Sequence, residues 1–388
     1  MLYFDHCAST PPHKEVIRTL AEVMERHYAN PSSLHKPGAE ANKLIERARE
    51  QAAALFGVKA EEWIFTSGGT ESNNLAIKGA ARQYRSRGNH LVTTGIEHAS
   101  VYEAFRQLER EGFRVTYVPA GPGGHVSPER IREACTDDTI LVSVMHVNNE
   151  VGAVQPIAEI GRWLRSRPKT LFHVDGVQSV GKLPVSLKEW GIDLFSISAH
   201  KLQGPKGVGL LYVREDVRLD PLFSGGQHER GLRAGTQNVP AIVAAAKALR
   251  LAIESQPLRL ERMTRLRERL VRQLQAIPEL VVNGDASSGE MAPHIVHFSY
   301  PGMKPEVIVH MLEQNGVVVS TKSACSSKDD RPSRVLLAMG LPHDRAASGV
   351  RISFGDEHTE QDIDKLAAII RTTVDTLKPL ERKGGGQA

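Results

Sequence analysis

Lys201 stands in Ser196-Ile197-Ser198-Ala199-His200-Lys201-Leu202-Gln203-Gly204-Pro205-Lys206-Gly207, where an apolar strand pattern runs into a polar, glycine-rich loop. Ligands of open α/β sheets bind at such strand ends. An amine held there among other cations, and partly desolvated, loses basicity and can form a Schiff base with a carbonyl. A lone loop lysine is far more often an ordinary surface charge, so its company decides. Thr66-Ser67-Gly68-Gly69-Thr70-Glu71-Ser72-Asn73-Asn74 joins a second strand to a helix through two glycines. A helix start of that kind aims backbone N–H groups at an anion. Capping by Thr70 alone would account for those residues; beside Lys201 they form a candidate phosphate cup.

A third element ends another apolar strand: Phe172-His173-Val174-Asp175-Gly176-Val177-Gln178. Asp175 can keep the nitrogen of a pyridine ring protonated, so that the ring withdraws electrons, and Gln178 can reach a ring oxygen. Alone, Asp175 would be read as a turn former. Together, the separate lysine, phosphate cup and carboxylate are the three fixtures of a pyridoxal phosphate site. His98, in Ile96-Glu97-His98-Ala99-Ser100, offers a flat ring to stack on that cofactor and a titratable group near it. The run Gly176 to Lys182 imitates a nucleotide-binding P-loop, but Leu183 replaces the magnesium-binding Ser or Thr and Pro184 stops the helix, so nucleotide binding is rejected.

These loops need a sheet to hold them. From Trp63 to Val213, seven short β-branched or aromatic runs (64–66, 91–93, 115–117, 140–144, 171–174, 194–197 and 208–213) alternate with helical patterns such as 70–87 and 156–167. Such a series winds into a parallel sheet. Only Ala199 to Gly207 separates the last two runs, too short for a parallel crossover, so that pair is predicted antiparallel. Residues 241–276 read as connecting helix interrupted at Pro257. After Pro278, strand candidates 281–282, 295–298, 317–320 and 350–354 alternate with helical stretches 305–314 and 332–339. The fold class is therefore α/β: a mostly parallel seven-stranded sheet with one antiparallel strand in a large cofactor domain (14–250), and a smaller α/β domain (1–13 with 251–388). Residues 381–386 read as a disordered tail.

The 388 residues carry 49 basic and 45 acidic side chains, 49 − 45 = +4, with no basic block. This argues against direct nucleic-acid binding. No apolar run approaches a membrane span, and the first residues lack a signal-peptide pattern. Three scattered cysteines argue for a reducing, cytoplasmic setting rather than a disulfide framework.

Six motifs carry a family resemblance: Gly69 to Asn74; Met145-His146-Val147-Asn148-Asn149-Glu150-Val151-Gly152; His173-Val174-Asp175; Ser198 to Lys201 with Gly204 to Gly207; Gly225-Gly226-Gln227-His228-Glu229-Arg230-Gly231; and Ser323-Ala324-Cys325-Ser326-Ser327. In this order, across nearly the whole chain, they resemble the cysteine desulfurases, pyridoxal-phosphate enzymes of the class V aminotransferase group. The resemblance implies that Lys201 bonds the cofactor, that Asp175, Gln178, Asn149 and His98 surround its ring, and that Gly69, Thr70, Ser198 and His200 hold its phosphate. It implies a homodimer in which Thr236 reaches the neighbouring subunit's phosphate. It also makes Arg351 the anchor for the substrate carboxylate, with Asn30 beside it; a guanidinium fork suits a carboxylate.

Cys325 lies in a polar stretch without apolar period, flanked by Lys322 and Lys328, which favour a reactive thiolate. By the resemblance it takes sulfur from L-cysteine, leaving L-alanine and an enzyme persulfide, and passes the sulfur to an iron–sulfur scaffold or a tRNA-thiolation enzyme. Selenocysteine lyase or class V aminotransferase activity is the alternative within the group; a non-catalytic sulfur-relay scaffold is the alternative outside it. The segment from Cys325 to Pro332 has the length of the family's long-loop branch. Two positions depart from the family: Lys322 replaces a glycine, and His6 replaces Asn or Tyr. Cys7 and Cys135 are read as packing residues, and no metal is expected.

Overall fold

The computed structural model describes residues 1–285, 290–321 and 331–384. The chain opens with β1 (Leu2–Tyr3), α1 (Lys14–Arg26) and α2 (Lys36–Phe56). There follow β2 (Trp63–Thr66), α3 (Gly69–Gln83), β3 (His90–Thr94), α4 (Ala99–Arg110), β4 (Arg114–Val118) and α5 (Pro128–Ala134). Next come β5 (Thr139–Met145), α6 (Ile157–Leu164), β6 (Leu171–Asp175), β7 (Leu194–Ser198) and β8 (Gly209–Val213). The helices α7 (Val239–Glu254) and α8 (Gln256–Gln275) break at Ser255, with Pro257 inside the first turn of α8, where its missing N–H costs nothing.

Strands β2 to β8 form one seven-stranded sheet in the order β2-β8-β7-β6-β5-β3-β4. All neighbours are parallel except those of β8, which is antiparallel to both β7 and β2. The predicted antiparallel pair is present. Because the direction reverses twice across β8, β2 and β7 run the same way, and the loops leaving Thr66 and Ser198 open on one edge. Strand alternation sorts the core into two faces. Trp63, Phe65, Phe172, Val174, Phe195 and Ile197 pack with α2, α6 and α7, while Ile64, Leu171, Leu194 and Leu211 pack with α3 and α4.

The face under α3 and α4 turns polar toward the strand ends: Leu171, His173, Asp175 along β6 and Leu194, Ser196, Ser198 along β7. His173 is buried between Ser143 Oγ at 2.8 Å and Ser196 Oγ at 3.1 Å, and burial pulls its imidazole down to about 3. It forms a neutral, hydrogen-bonded floor beneath the site.

The remaining elements are β9 (Val281–Asn283), β10 (Ile295–Ser299), α9 (Pro305–Gln314), β11 (Val317–Val318), α10 (Arg334–Ala338), α11 (His343–Ala347), β12 (Gly349–Ser353) and α12 (Glu360–Gly384). The antiparallel sheet β12-β10-β9 shares a second apolar core with Phe4 and with α8, α9 and α12. The 317–320 strand is shorter than expected and pairs instead with β1, in parallel. Of the expected disordered tail, residues 381–384 are instead helical, since α12 continues to Gly384, carried by Ile363, Leu366, Ile370, Val374 and Leu377 buried at helical spacing, and residues 385 and 386 lie outside the described residues. No helix among the described residues is long and apolar enough to cross a membrane.

Candidate active site

Lys201 closes a short 3-10 turn directly after β7. Its Nζ donates to the carbonyl oxygens of Cys7 and Ala8, the latter at 2.7 Å, so the segment after β1 lies across the strand end. Lys182 donates to the Lys201 carbonyl at 3.0 Å, and burial pushes the Lys182 ammonium down to about 8. Asp175 ends β6, paired with Ser196 of β7 in register. Its oxygens accept from the Val177 N–H at 3.0 Å and from Asn73 Nδ2 at 2.8 Å. Burial raises its pKa, and these donors with Lys201 oppose the rise.

The cup forms where β2 turns into α3. Gly68 has φ 156 and ψ −179, a conformation open only to glycine, and a Cβ on Gly69 would sit 2.8 Å from Val177 Cγ2. The first N–H groups of a helix have no partner inside it. Ser198 Oγ is buried without a hydrogen-bond partner, and burial, with Lys201 nearby, brings His200 down to about 4.

His98 caps α4. Its Nδ1 accepts from the Ser100 N–H at 3.1 Å and lies 2.8 Å from Ser100 Oγ, which leaves the ring proton on Nε2. Burial, then Lys201, Arg334 and Arg351, pull this imidazole down to about 4. Asn73 donates its second amide hydrogen to Ser100 Oγ at 2.9 Å, completing the path Asp175–Asn73–Ser100–His98. Arg351 is fully buried; it donates to the Asn149 carbonyl at 2.9 Å and to Asp5 Oδ1 at 2.8 Å.

These groups line one cavity of about 300 Å³ that holds Gly69, Thr70, His98, Asn149, Asp175, Gln178, Ser198, His200, Lys201 and Arg351 together. Residues 2–366 match the class-V aminotransferase family. The chain is 42% identical over 370 residues to the cysteine desulfurase IscS of Clostridium botulinum, covering 95% of this chain and 93% of that one. The chain belongs to the cysteine desulfurases of that family. A NifS-like protein of solved structure superposes on this desulfurase with a TM-score of 0.90 at 37% identity, covering 97% of this chain and all, 100%, of the other. The solved structure of SspA in complex with cysteine gives 0.80 at 35% identity, covering 91% and 99%.

Pyridoxal 5'-phosphate is the cofactor of this desulfurase, and the cavity suits it. Asn73 Oδ1, Asn149 Oδ1, Gln178 Oε1, Ser198 Oγ and Arg351 Nε are all buried without a partner among the described residues. Buried polar atoms in native proteins are nearly always paired, so five around one cavity call for a polar ligand.

Asn30 and Thr236 are exposed and do not line the cavity of their own chain; Asn30 Oδ1 instead accepts from the Ser32 N–H at 2.9 Å. Cys325 lies outside the described residues. Cys7 is buried among Val147, Ala292 and Ile295, which raises its thiol pKa, and Cys135 is half-buried at the end of α5 with its thiol pushed up to about 11. His6 Nε2 meets Glu357 Oε1 at 2.7 Å, while His358 Nδ1 accepts from the Gly355 N–H at 2.8 Å. Asn73, Ser100 and the Cys7 and Ala8 carbonyls were not singled out in the sequence. Asn73 and Ser100 both stand inside motifs quoted above, one turn from Gly69 and two residues from His98.

Proposed function

We propose that this desulfurase takes sulfur from L-cysteine, releases L-alanine and leaves the sulfur as a persulfide on Cys325. The bond between substrate Cβ and sulfur breaks as the bond to the Cys325 sulfur forms. Pyridoxal phosphate, when bound, supplies the electron sink that lets substrate Cα give up its proton. Lys201, whose Nζ donates to the Cys7 and Ala8 carbonyls, would hold the cofactor through its amine, and that amine would serve as the base for the Cα proton. Asp175, kept ionised by Asn73 and the Val177 N–H against its burial, holds a proton at the ring nitrogen. The start of α3, with Thr70, Ser198 and His200, holds the phosphate, and Asn149 and Gln178 flank the ring. His98 lines the same cavity as a neutral imidazole with its Nε2–H available, and would cover one face of the ring. Arg351 binds the substrate carboxylate in exchange for Asp5.

The observation that carries this assignment is the meeting of Lys201, Asp175 and the α3 N-terminus on one cavity. The structure of the relative that binds cysteine supports the choice of substrate. Residues 14–250 act as the cofactor domain, and 1–13 with 251–388 as the smaller domain. The working enzyme is a cytoplasmic homodimer whose Asn30 and Thr236 complete the partner's site. Its acceptor is a protein, an iron–sulfur scaffold or a tRNA-thiolation enzyme.

The test is a visible spectrum of the purified enzyme before and after L-cysteine, with alanine and sulfide quantified and borohydride-treated protein mapped by peptide. A pyridoxyl adduct at Lys201 is expected. Lys201→Ala abolishes turnover, whereas Cys325→Ser keeps the spectrum and loses alanine release. An adduct elsewhere overturns the lysine assignment, and normal alanine release by Cys325→Ser overturns the cysteine's.

A further inference from the structure

We infer that Arg334 is a positioning residue for His98: its guanidinium fork grips two backbone carbonyls of the turn that presents the imidazole. The inference rests on the desulfurase assignment and adds a residue to it.

Between β3 and α4 only Gly95, Ile96, Glu97 and His98 intervene. Arg334 Nη1 donates to the Gly95 carbonyl and Nη2 to the Glu97 carbonyl. Asn148 Nδ2 donates to the carbonyl between them, Ile96, at 2.8 Å. Each of the three carbonyls preceding His98 is thus held by a side chain from outside the turn. The fork itself is fixed in orientation, since the Arg334 guanidinium stacks over the Tyr102 ring at 4.0 Å. Its backbone is fixed as well. Ser333, the N-cap of α10, donates to Glu150 Oε2 at 2.6 Å, and Ser333 N donates to the Ala346 carbonyl at 2.9 Å. Helix α10 lies so close that a Cβ on Gly95 would meet the Ala338 Cβ at 3.0 Å.

Among the described residues, the imidazole of His98 is hydrogen-bonded only on its Nδ1 edge, to Ser100. The tilt of its face over the cavity is therefore set by the backbone of residues 95–98, which is what Arg334 holds. A planar fork with two parallel donors does this; an ammonium is a point charge and holds one carbonyl at a time. Misplacing a reacting group by about 1 Å can cost up to about a hundredfold in rate.

The experiment uses the full-length holoenzyme and a double-mutant cycle of Arg334→Gln with His98→Ala, with Arg334→Lys as the conservative variant. Alanine release from L-cysteine gives kcat, and visible circular dichroism of the cofactor band reports ring orientation. Arg334→Gln is expected to keep its cofactor, alter the dichroism and lose about tenfold in kcat. In the His98→Ala background the same change costs less than twofold, because there is no imidazole left to misplace. Arg334→Lys falls nearer Arg334→Gln than wild type. An equal loss in both backgrounds means a structural effect independent of His98 and overturns the inference. Wild-type kcat and dichroism in either Arg334 variant also overturn it. Failure of the desulfurase assignment would show separately, as wild-type enzyme that releases no alanine.

Discussion

Asn73 gives one amide hydrogen to Asp175 and the other to Ser100, so a single buried side chain joins the carboxylate at one end of the cavity to the imidazole at the other. An amide can do this only in one orientation, nitrogen toward the carboxylate. A hydrogen bond to a buried charge contributes roughly 1.5–3 kcal/mol. Without it, burial raises the Asp175 pKa further, and the carboxyl group keeps for itself the proton that the ionised form would hold on the ring nitrogen. Asn73→Ala is expected to weaken cofactor binding about ten- to a hundredfold, as read by absorbance titration of the apoenzyme. Asn73→Asp, which sets a second carboxylate against Asp175, should be worse than alanine. Equal affinity in all three proteins would remove Asn73 from the site.

Glu97 works at the scale of elements. Its Oε1 accepts from Thr94 Oγ1 at 2.7 Å at the end of β3 and from the Met145 N–H at 2.9 Å at the end of β5, tying two strand ends beneath the His98 turn. Burial raises its pKa to about 8, whereas an unfolded glutamate titrates at about 4.3. The folded state therefore holds a proton that the unfolded state has lost. Stability from this group is complete below the unfolded value and is lost as pH rises through about 8. In Glu97→Gln, Tm should gain on wild type steadily between pH 5 and 8.5, by roughly 5 °C at the alkaline end. A constant difference across that range would mean that Glu97 does not titrate there. At this scale much was legible in the sequence. Short β-branched and aromatic runs marked the seven strands, and the brevity of the 199–207 link gave the antiparallel pair. A strand of two residues such as β1 is too short to leave a sequence pattern, and its pairing with β11 is a tertiary event. Most hidden of all were the bonds to main-chain oxygen, Lys201 on Cys7 and Ala8, and Arg334 on Gly95 and Glu97. Every residue type supplies a carbonyl, so the accepting position leaves no mark in composition or motif. The side chains that line the cavity were readable because few residue types suit the chemistry proposed for them.

For the whole molecule, Met24, Tyr28 and Leu34 stand exposed around Asn30, and Phe223 is exposed on the stretch leading to Thr236. Large exposed apolar side chains gathered near polar residues mark an interaction surface. If the working enzyme is a dimer built on that surface, Leu34→Glu should weaken self-association at least about tenfold. Sedimentation would then show monomers at concentrations where wild type is paired, with alanine release falling in parallel. Unchanged sedimentation would place the interface elsewhere.

Asp5 meets Arg351 across 346 positions, and Leu2 pairs with Val317. A ribosome adding about 5–20 residues per second exposes the opening segment for roughly tens of seconds before its partners are translated. Arg351, proposed above to anchor the substrate carboxylate, can thus meet Asp5 only after every other residue that lines the cavity, from Cys7 to Lys201, has been made.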